Sequence, residues 1–311
     1  MTLLNPPSHL LGHANAIMST TSVPYVVEDF LGPLSIKWMV AGWGAWETES
    51  GYYRVDPSCY LVLNRGHVYS LSIDTHEPRE AFCPFFADGF VEDAHAALTV
   101  RVPSLLDEPN GRVRPDAAFS EHVRPTDDGV ITELRRMRAG VRSGVASTAW
   151  LEDRFHGLAE CLLLAQQRVR RQVAAVPAVR AGTREELYRR LCRGRDYLHA
   201  CFAERLTLDA IAREACLAPH HFHRLFRGAF GKTPHDYLVG LRIARARTLL
   251  EGTELPVTQI CFEVGFESLG SFSALFHREV GVSPTSFPAA RAPELSKPRE
   301  VAGVRTSDRC P

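Results

Sequence analysis

The spacing of apolar positions divides the chain into a β-patterned first part and a helical remainder. From about Val23 to Val102 the apolar runs are short and rich in β-formers, as in Ile36-Lys37-Trp38-Met39-Val40 and Cys59-Tyr60-Leu61-Val62-Leu63. Tyr69, Leu71 and Ile73 alternate with Ser70, Ser72 and Asp74, the period of two that marks a half-buried strand. Asn64-Arg65-Gly66 separates two such runs and predicts a hairpin. Pro84 interrupts the run from Ala81 to Phe86, which predicts an edge strand or a bulge, because proline donates no ladder bond. Short strands at this spacing predict a sandwich or barrel. Residues 1–20 show no period and predict a loose arm. The five prolines and glycines spread through 103–128 predict loops.

A helical period begins with Val130, Leu134, Met137 and Val141 on one stripe. Leu151, Phe155, Leu158, Leu162, Ala165, Val169 and Val173 form a longer one in steps of four and three. That spacing suits equally a helix packed on its own domain and a dimer seam. Pro177 and Gly182 among small residues predict a linker over 176–182. Thr183 with Glu186 has the form of a capping box, opening a helix to about Phe202.

The rest of the chain repeats itself. Ile211 matches Ile260 at an offset of 49, and Phe222 matches Phe272 and Gly231 matches Gly281 at an offset of 50. Two copies are too few for a solenoid, which needs about three. Each copy instead predicts a short helix, a turn and a second helix. In the first copy Thr207 can cap the short helix, Cys216 holds the turn, and the second helix spans about 219–230. Phe222, Leu225, Phe226 and Ala229 lie at core spacing, and His220, His223, Arg224 and Arg227 share the opposite stripe. In the second copy Gly265 holds the turn, and the helix over about 269–280 buries Phe272, Leu275 and Phe276. It exposes Gly270, Ser273, Ala274 and His277, with Ser271 and Arg278 alongside. Between the copies, Thr233 and Pro234 start a helix that runs to about Glu251, with Arg242, Arg245 and Arg247 expected in solvent. At roughly 18 residues it is a rod of about 27 Å, a length suited to placing two helices in successive major grooves about 34 Å apart.

These residues resemble the DNA-binding domain of the AraC/XylS transcription-regulator family over about 186–291, a third of the chain. The carrying residues are Ile211-Ala212, Phe222 with Phe226, Gly231 with Thr233-Pro234, Arg242 with Ala246, and Ile260-Cys261. They continue with Val264-Gly265-Phe266-Glu267-Ser268, Ser271-Phe272, and Phe276 with Gly281 and Ser283-Pro284. The sequence departs from the pattern at Cys216, where glycine is common, at Ala274, often polar or basic, and at Phe287-Pro288, usually an aromatic–Arg pair. The first part resembles, more weakly, the cupin-like sensor and dimerisation domain of such regulators, Asn64 to Ser70 as its hairpin and Phe82, Phe85 and Phe86 as a later strand.

The resemblance implies an α+β chain. An N-terminal cupin-like β-barrel with following helices spans 21–175. An all-α domain with two helix–turn–helix units spans 183–291, and a tail follows over 292–311. It implies double-stranded operator DNA as the partner, with His220, His221, His223, Arg224 and Arg227 on the first head and Gly270, Ser271, Ser273, Ala274, His277 and Arg278 on the second. It further implies a small-molecule effector, a homodimer and contact with RNA polymerase. Arg224 can grip guanine with a bidentate fork, whereas the matching Ala274 donates nothing, so the heads are expected to be unequal.

Charge changes this picture little. Lys plus Arg and Asp plus Glu are both 36, a net of zero. Residues 183–291 carry 15 Lys/Arg and 12 Asp/Glu, so the salt dependence of DNA binding is expected to be limited. The eight cysteines form no Cys-x-x-Cys pair and predict small buried hydrophobes in a reducing compartment, and the N-terminus has no basic leader, which predicts a cytoplasmic protein. His67, His76, His95 and His122 are too dispersed for a cupin metal site, and His220, His221 and His223 do not share one face, so neither a metal nor another cofactor is expected. A metal-dependent cupin enzyme fused to a DNA-binding module is the alternative, and stoichiometric bound metal would distinguish it.

Overall fold

The computed structural model describes residues 2–21, 25–73, 79–99, 118–126 and 128–287. The strands are β1 (Leu3–Leu4), β2 (Ala16–Thr21), β3 (Tyr25–Leu31), β4 (Ser35–Ala41), β5 (Gly44–Thr48), β6 (Gly51–Val55), β7 (Cys59–Leu63), β8 (Val68–Ile73) and β9 (Glu80–Phe85), followed by helix α1 (Phe90–Thr99) and β10 (Val123–Pro125). They form a six-stranded sheet in the order β1-β2-β9-β4-β7-β10 and a four-stranded sheet in the order β3-β8-β5-β6. Two helices follow, α2 (Gly129–Ser143) and α3 (Thr148–Ala174).

The six-stranded sheet is the middle of three layers. Cys59, Leu61 and Leu63 of β7 join the core shared with the four-stranded sheet, together with Trp46, Tyr53 and Tyr69. Tyr60 and Val62 join the other core, with Leu134 and Met137 of α2 and Phe155, Leu158 and Leu162 of α3. A strand covered on both faces reads as a continuous apolar run, which is why Cys59–Leu63 shows no alternation. Asp128 fixes the entry to α2, accepting from the Val130 and Ile131 amides at 3.0 and 3.4 Å and from the Tyr60 hydroxyl at 2.6 Å.

The described strands make two sheets and no closed barrel. Residues 2–20 are no arm: β2 pairs with β9 along its whole length, and Ala16 and Ile17 are fully buried. Asn64–Gly66 is a crossing between sheets and no hairpin, since β7 and β8 lie in different ones. Asn64 fastens that turn by donating to the Phe119 carbonyl at 2.7 Å and accepting from its amide at 2.8 Å. β9 is an interior strand despite Pro84, which stands opposite Ile17. A strand residue's N–H serves only one neighbour, so the missing donor removes one ladder bond and spares the other side. The β pattern assigned up to Val102 gives way at Phe90 to α1, and β10 interrupts the predicted loop. The α3 stripe is consumed in two of the chain's own cores. The expected tail over 292–311 and His76 lie outside the described residues.

The remaining helices are α4 (Ala181–Ala200), α5 (Leu208–Glu214), α6 (Pro219–Phe230), α7 (Pro234–Gly252), α8 (Val257–Glu263) and α9 (Leu269–Val280). No helix among the described residues is long and apolar enough to cross a membrane. The chain forms two compact units, Met1–Arg245 and Ala246–Pro311. Val169, Val173 and Val176 join Tyr188, Leu191, Phe222 and Phe226 in one core, which makes the end of α3 part of the base of α6. Thr183 caps nothing: α4 begins after Arg180, with no side-chain cap.

Candidate nucleic-acid interface

Both copies fold as helix–turn–helix with matching turns. Leu217 N–H donates to Ala212 C=O at 2.9 Å, and Phe266 N–H donates to Cys261 C=O at 3.0 Å, the bond that closes a helix through a left-handed residue. The left-handed residues are Cys216, with φ 51°, and Gly265, with φ 89°. A side chain in this region is strained by about 1–2 kcal/mol. Gly265→Val is therefore expected to cost about 1–2 kcal/mol and lower the urea midpoint, while Cys216→Gly is neutral or slightly stabilising. Equal losses from both changes would contradict this account of the turn.

In the first copy Thr207 caps α5, accepting from the Ala210 amide at 3.2 Å. Pro219 opens α6, and Gly231, with φ 73°, ends it. Phe222, Leu225, Phe226 and Ala229 are buried. A Cβ on Gly194 of α4 would lie 2.7 Å from the Phe222 ring, so glycine permits the close approach that seats α6. The opposite face carries exposed His220, Arg224 and Arg227, with His223 half-buried and His221 half-buried off the stripe. Neither the Arg224 nor the Arg227 guanidinium has a partner among the described residues.

In the second unit Ser268 caps α9, accepting from the Ser271 amide at 3.2 Å and donating to its hydroxyl at 2.9 Å. Phe272 and Phe276 are buried, whereas Leu275 is only half-buried, less than its spacing predicts. Gly270, Ser271, Ala274, His277 and Arg278 are exposed and Ser273 is half-buried. Arg278 donates twice to Glu279 Oε1, at 3.0 and 2.9 Å, an exposed pair of little strength. Phe287 is buried against Phe276 at 5.5 Å and lies beneath the Arg247 guanidinium at 5.6 Å. Of the arginines expected in solvent on α7, Arg247 is exposed and Arg245 half-buried. Arg242 instead closes the loop after α4, donating to the Phe202 and Glu204 carbonyls at 2.7 and 2.8 Å.

The apolar pattern of α4 did not reveal a buried polar layer on the same helix. Arg195 is 4% exposed, donates to the Val123 carbonyl at 2.7 Å and lies over the Phe230 ring at 4.9 Å. His199 meets the Tyr237 hydroxyl at 2.9 Å, and burial lowers its pKa to about 4. His122 is buried against Tyr188; burial, then Arg195 and Arg124, push its pKa well below the usual value, so it is neutral. Burial raises the Asp196 carboxyl to about 7, against the opposing effects of Arg195 and a Val123 amide bond. The available signal was charge at core spacing, since Arg195 and His199 fall beside Leu191 and Leu198 on one face.

A family profile described as a helix-turn-helix domain matches residues 211–290. The HTH-type transcriptional activator RhaS of Shigella boydii is 40% identical over 88 residues, which are 28% of this chain and 32% of that protein. The chain thus spans about a third of the length of the curated relatives it matches. An AraC-type regulator from Chromobacterium violaceum is 30% identical over 37% of this chain and 99% of its own, with a TM-score of 0.32. ToxT from Vibrio cholerae covers 89% of this chain and 97% of its own at 13% identity, with a TM-score of 0.35. The two helix–turn–helix units, within residues 211–290, thus belong to the AraC/XylS type of DNA-binding domain.

Proposed function

We propose that this protein is a sequence-specific DNA-binding transcription regulator in which α6 and α9 enter the major groove of operator DNA. The observation that carries the proposal is the exposed polar stripe of α6, with its two unpartnered guanidiniums, on a helix whose other face is locked into a core. Arg224 reads a base edge. His220, His223 and Arg227 hold the same groove, with His221 at its margin. On α9, Ser271, Ser273, His277 and Arg278 contact the backbone, while Gly270 and Ala274 allow close approach. The first head supplies most hydrogen-bonded specificity and the second supplies anchoring.

Arg224→Ala is expected to weaken operator binding by about 1–3 kcal/mol and to relax the preference at one base pair. Binding selection from random duplexes, with the full chain and the variant compared by footprinting, reads both effects. A uniform loss across all sequences makes Arg224 a phosphate contact; no footprint for the full chain defeats the proposal itself.

The N-terminal sheets carry effector response and dimerisation, in a cytoplasmic protein that acts on RNA polymerase rather than as an enzyme. A homodimer would use a surface other than the α3 stripe, which the chain's own cores cover.

A further inference from the structure

A cavity of about 590 Å³ opens between β6, the β7–β8 crossing, residues 119–122 and α4. Tyr53, Phe119, Tyr188 and Tyr197 wall it, and the carboxylates of Glu121 and Asp196 line it. The Tyr53 and Tyr188 hydroxyls are already committed, donating to the Glu121 carbonyl at 3.2 Å and to Gln172 Oε1 at 2.7 Å, so these residues offer ring surface.

The two acids are nine-tenths or more buried, with side chains 5% and 10% exposed. His67 Nδ1 lies against Glu121 Oε1. Glu121 Oε2 and Asp196 Oδ1 have no hydrogen-bond donor among the described residues. Arg195 Nε stands 4.0 Å from Asp196 Oδ1, and that guanidinium is spent on the Val123 carbonyl. Arg189 and Arg193 also line the cavity; Arg189 pairs with Glu186. A buried carboxylate oxygen without a donor is costly, and a cation brought by a ligand would remove that cost. Aromatic faces attract the same kind of group.

We infer that the cavity binds a small organic cation, an amine or guanidine on a compact body, with its charged head on the Glu121 and Asp196 carboxylates and its body against the tyrosine rings. The volume lies within the usual range for small-molecule sites. α4 presents Asp196 to the cavity and, at Gly194, seats Phe222 of α6. Occupancy therefore bears on the helix that reads DNA. The inference rests on the regulatory reading by naming the effector's chemistry, but its test needs no DNA, so the two fail separately.

The test is thermal denaturation and calorimetric titration of the full chain with tyramine, agmatine, spermidine and benzamidine. Tyrosol and 4-hydroxyphenylacetate serve as neutral and anionic partners of tyramine. At least one cation is expected to raise Tm by several degrees, with the neutral and anionic analogues inert. Glu121→Gln is expected to weaken that cation roughly tenfold or more, as for loss of a charged hydrogen bond. Amide spectra of the wild-type chain keep the site testable should the variant fold poorly. Shifts clustered at 119–123 and 188–197 support it, and shifts confined elsewhere overturn it. No response to any of the four cations, or equal response to tyrosol, also overturns it.

Discussion

Lys37→Met is expected to stabilise the protein by roughly 3–4 kcal/mol at pH 6, and by about 2–3 kcal/mol less at pH 9. Lys37 is 2% exposed, and its ammonium donates to the Tyr69 hydroxyl at 2.8 Å and sits 3.9 Å from the centre of the Phe85 ring. Burial lowers its pKa from 10.5 to about 7, with Cys83 opposing weakly. Between these two values the unfolded chain holds a proton that the folded one lacks, so stability rises with pH across that window. Below about pH 7 the penalty is fully present, at about 5 kcal/mol, and it fades toward pH 10.5. Methionine keeps the volume and gives up a hydrogen bond and cation–π contacts, which together offset about 1–2 kcal/mol. Urea unfolding at the two pH values reads the effect. A gain of equal size at both would show that the lysine does not titrate as its surroundings dictate.

Phe226→Ala is expected to cost about 3–5 kcal/mol and to abolish operator binding. The ring is fully buried and meets Phe222, Phe230 and Tyr237 at centroid distances of 5.2, 4.6 and 5.6 Å. Its removal leaves a cavity beneath α6 that the surrounding rings cannot close. The matching Phe276→Ala acts in the other compact unit, where the ring touches Phe272 and Phe287. Its loss is expected to melt that unit while leaving the urea transition of the first nearly in place. Identical unfolding curves for the two variants would contradict the division into units.

The two copies were legible because each is a local object. The period that buries Phe222 and Phe226 also exposes Arg224, and the turn residues Cys216 and Gly265 are fixed by backbone geometry within five residues. Strand pairing was less legible because it is set by partners far away. Asn64 looked like a hairpin residue, and its side chain in fact binds Phe119, 55 positions on. Ala16 and Ile17 are too short a run to show a period, yet they are completely buried, one in each of the two cores that flank the six-stranded sheet. The polar layer of α4 was invisible for another reason. Arg195 falls at core spacing with Leu191 and Leu198, but its charge argues for solvent, and only the Val123 carbonyl far away in sequence makes an interior guanidinium tenable.

The shared core of Val169, Val173, Val176 and the first helix–turn–helix bears on how such a protein can be recombined. A chimera joined within 176–182 would strip three valines from beneath the first head and strand the Arg195 guanidinium without its carbonyl. A new sensor grafted there must bring its own apolar ridge and its own acceptor. The segment 176–182 is therefore no free joint between the sheets and the first head.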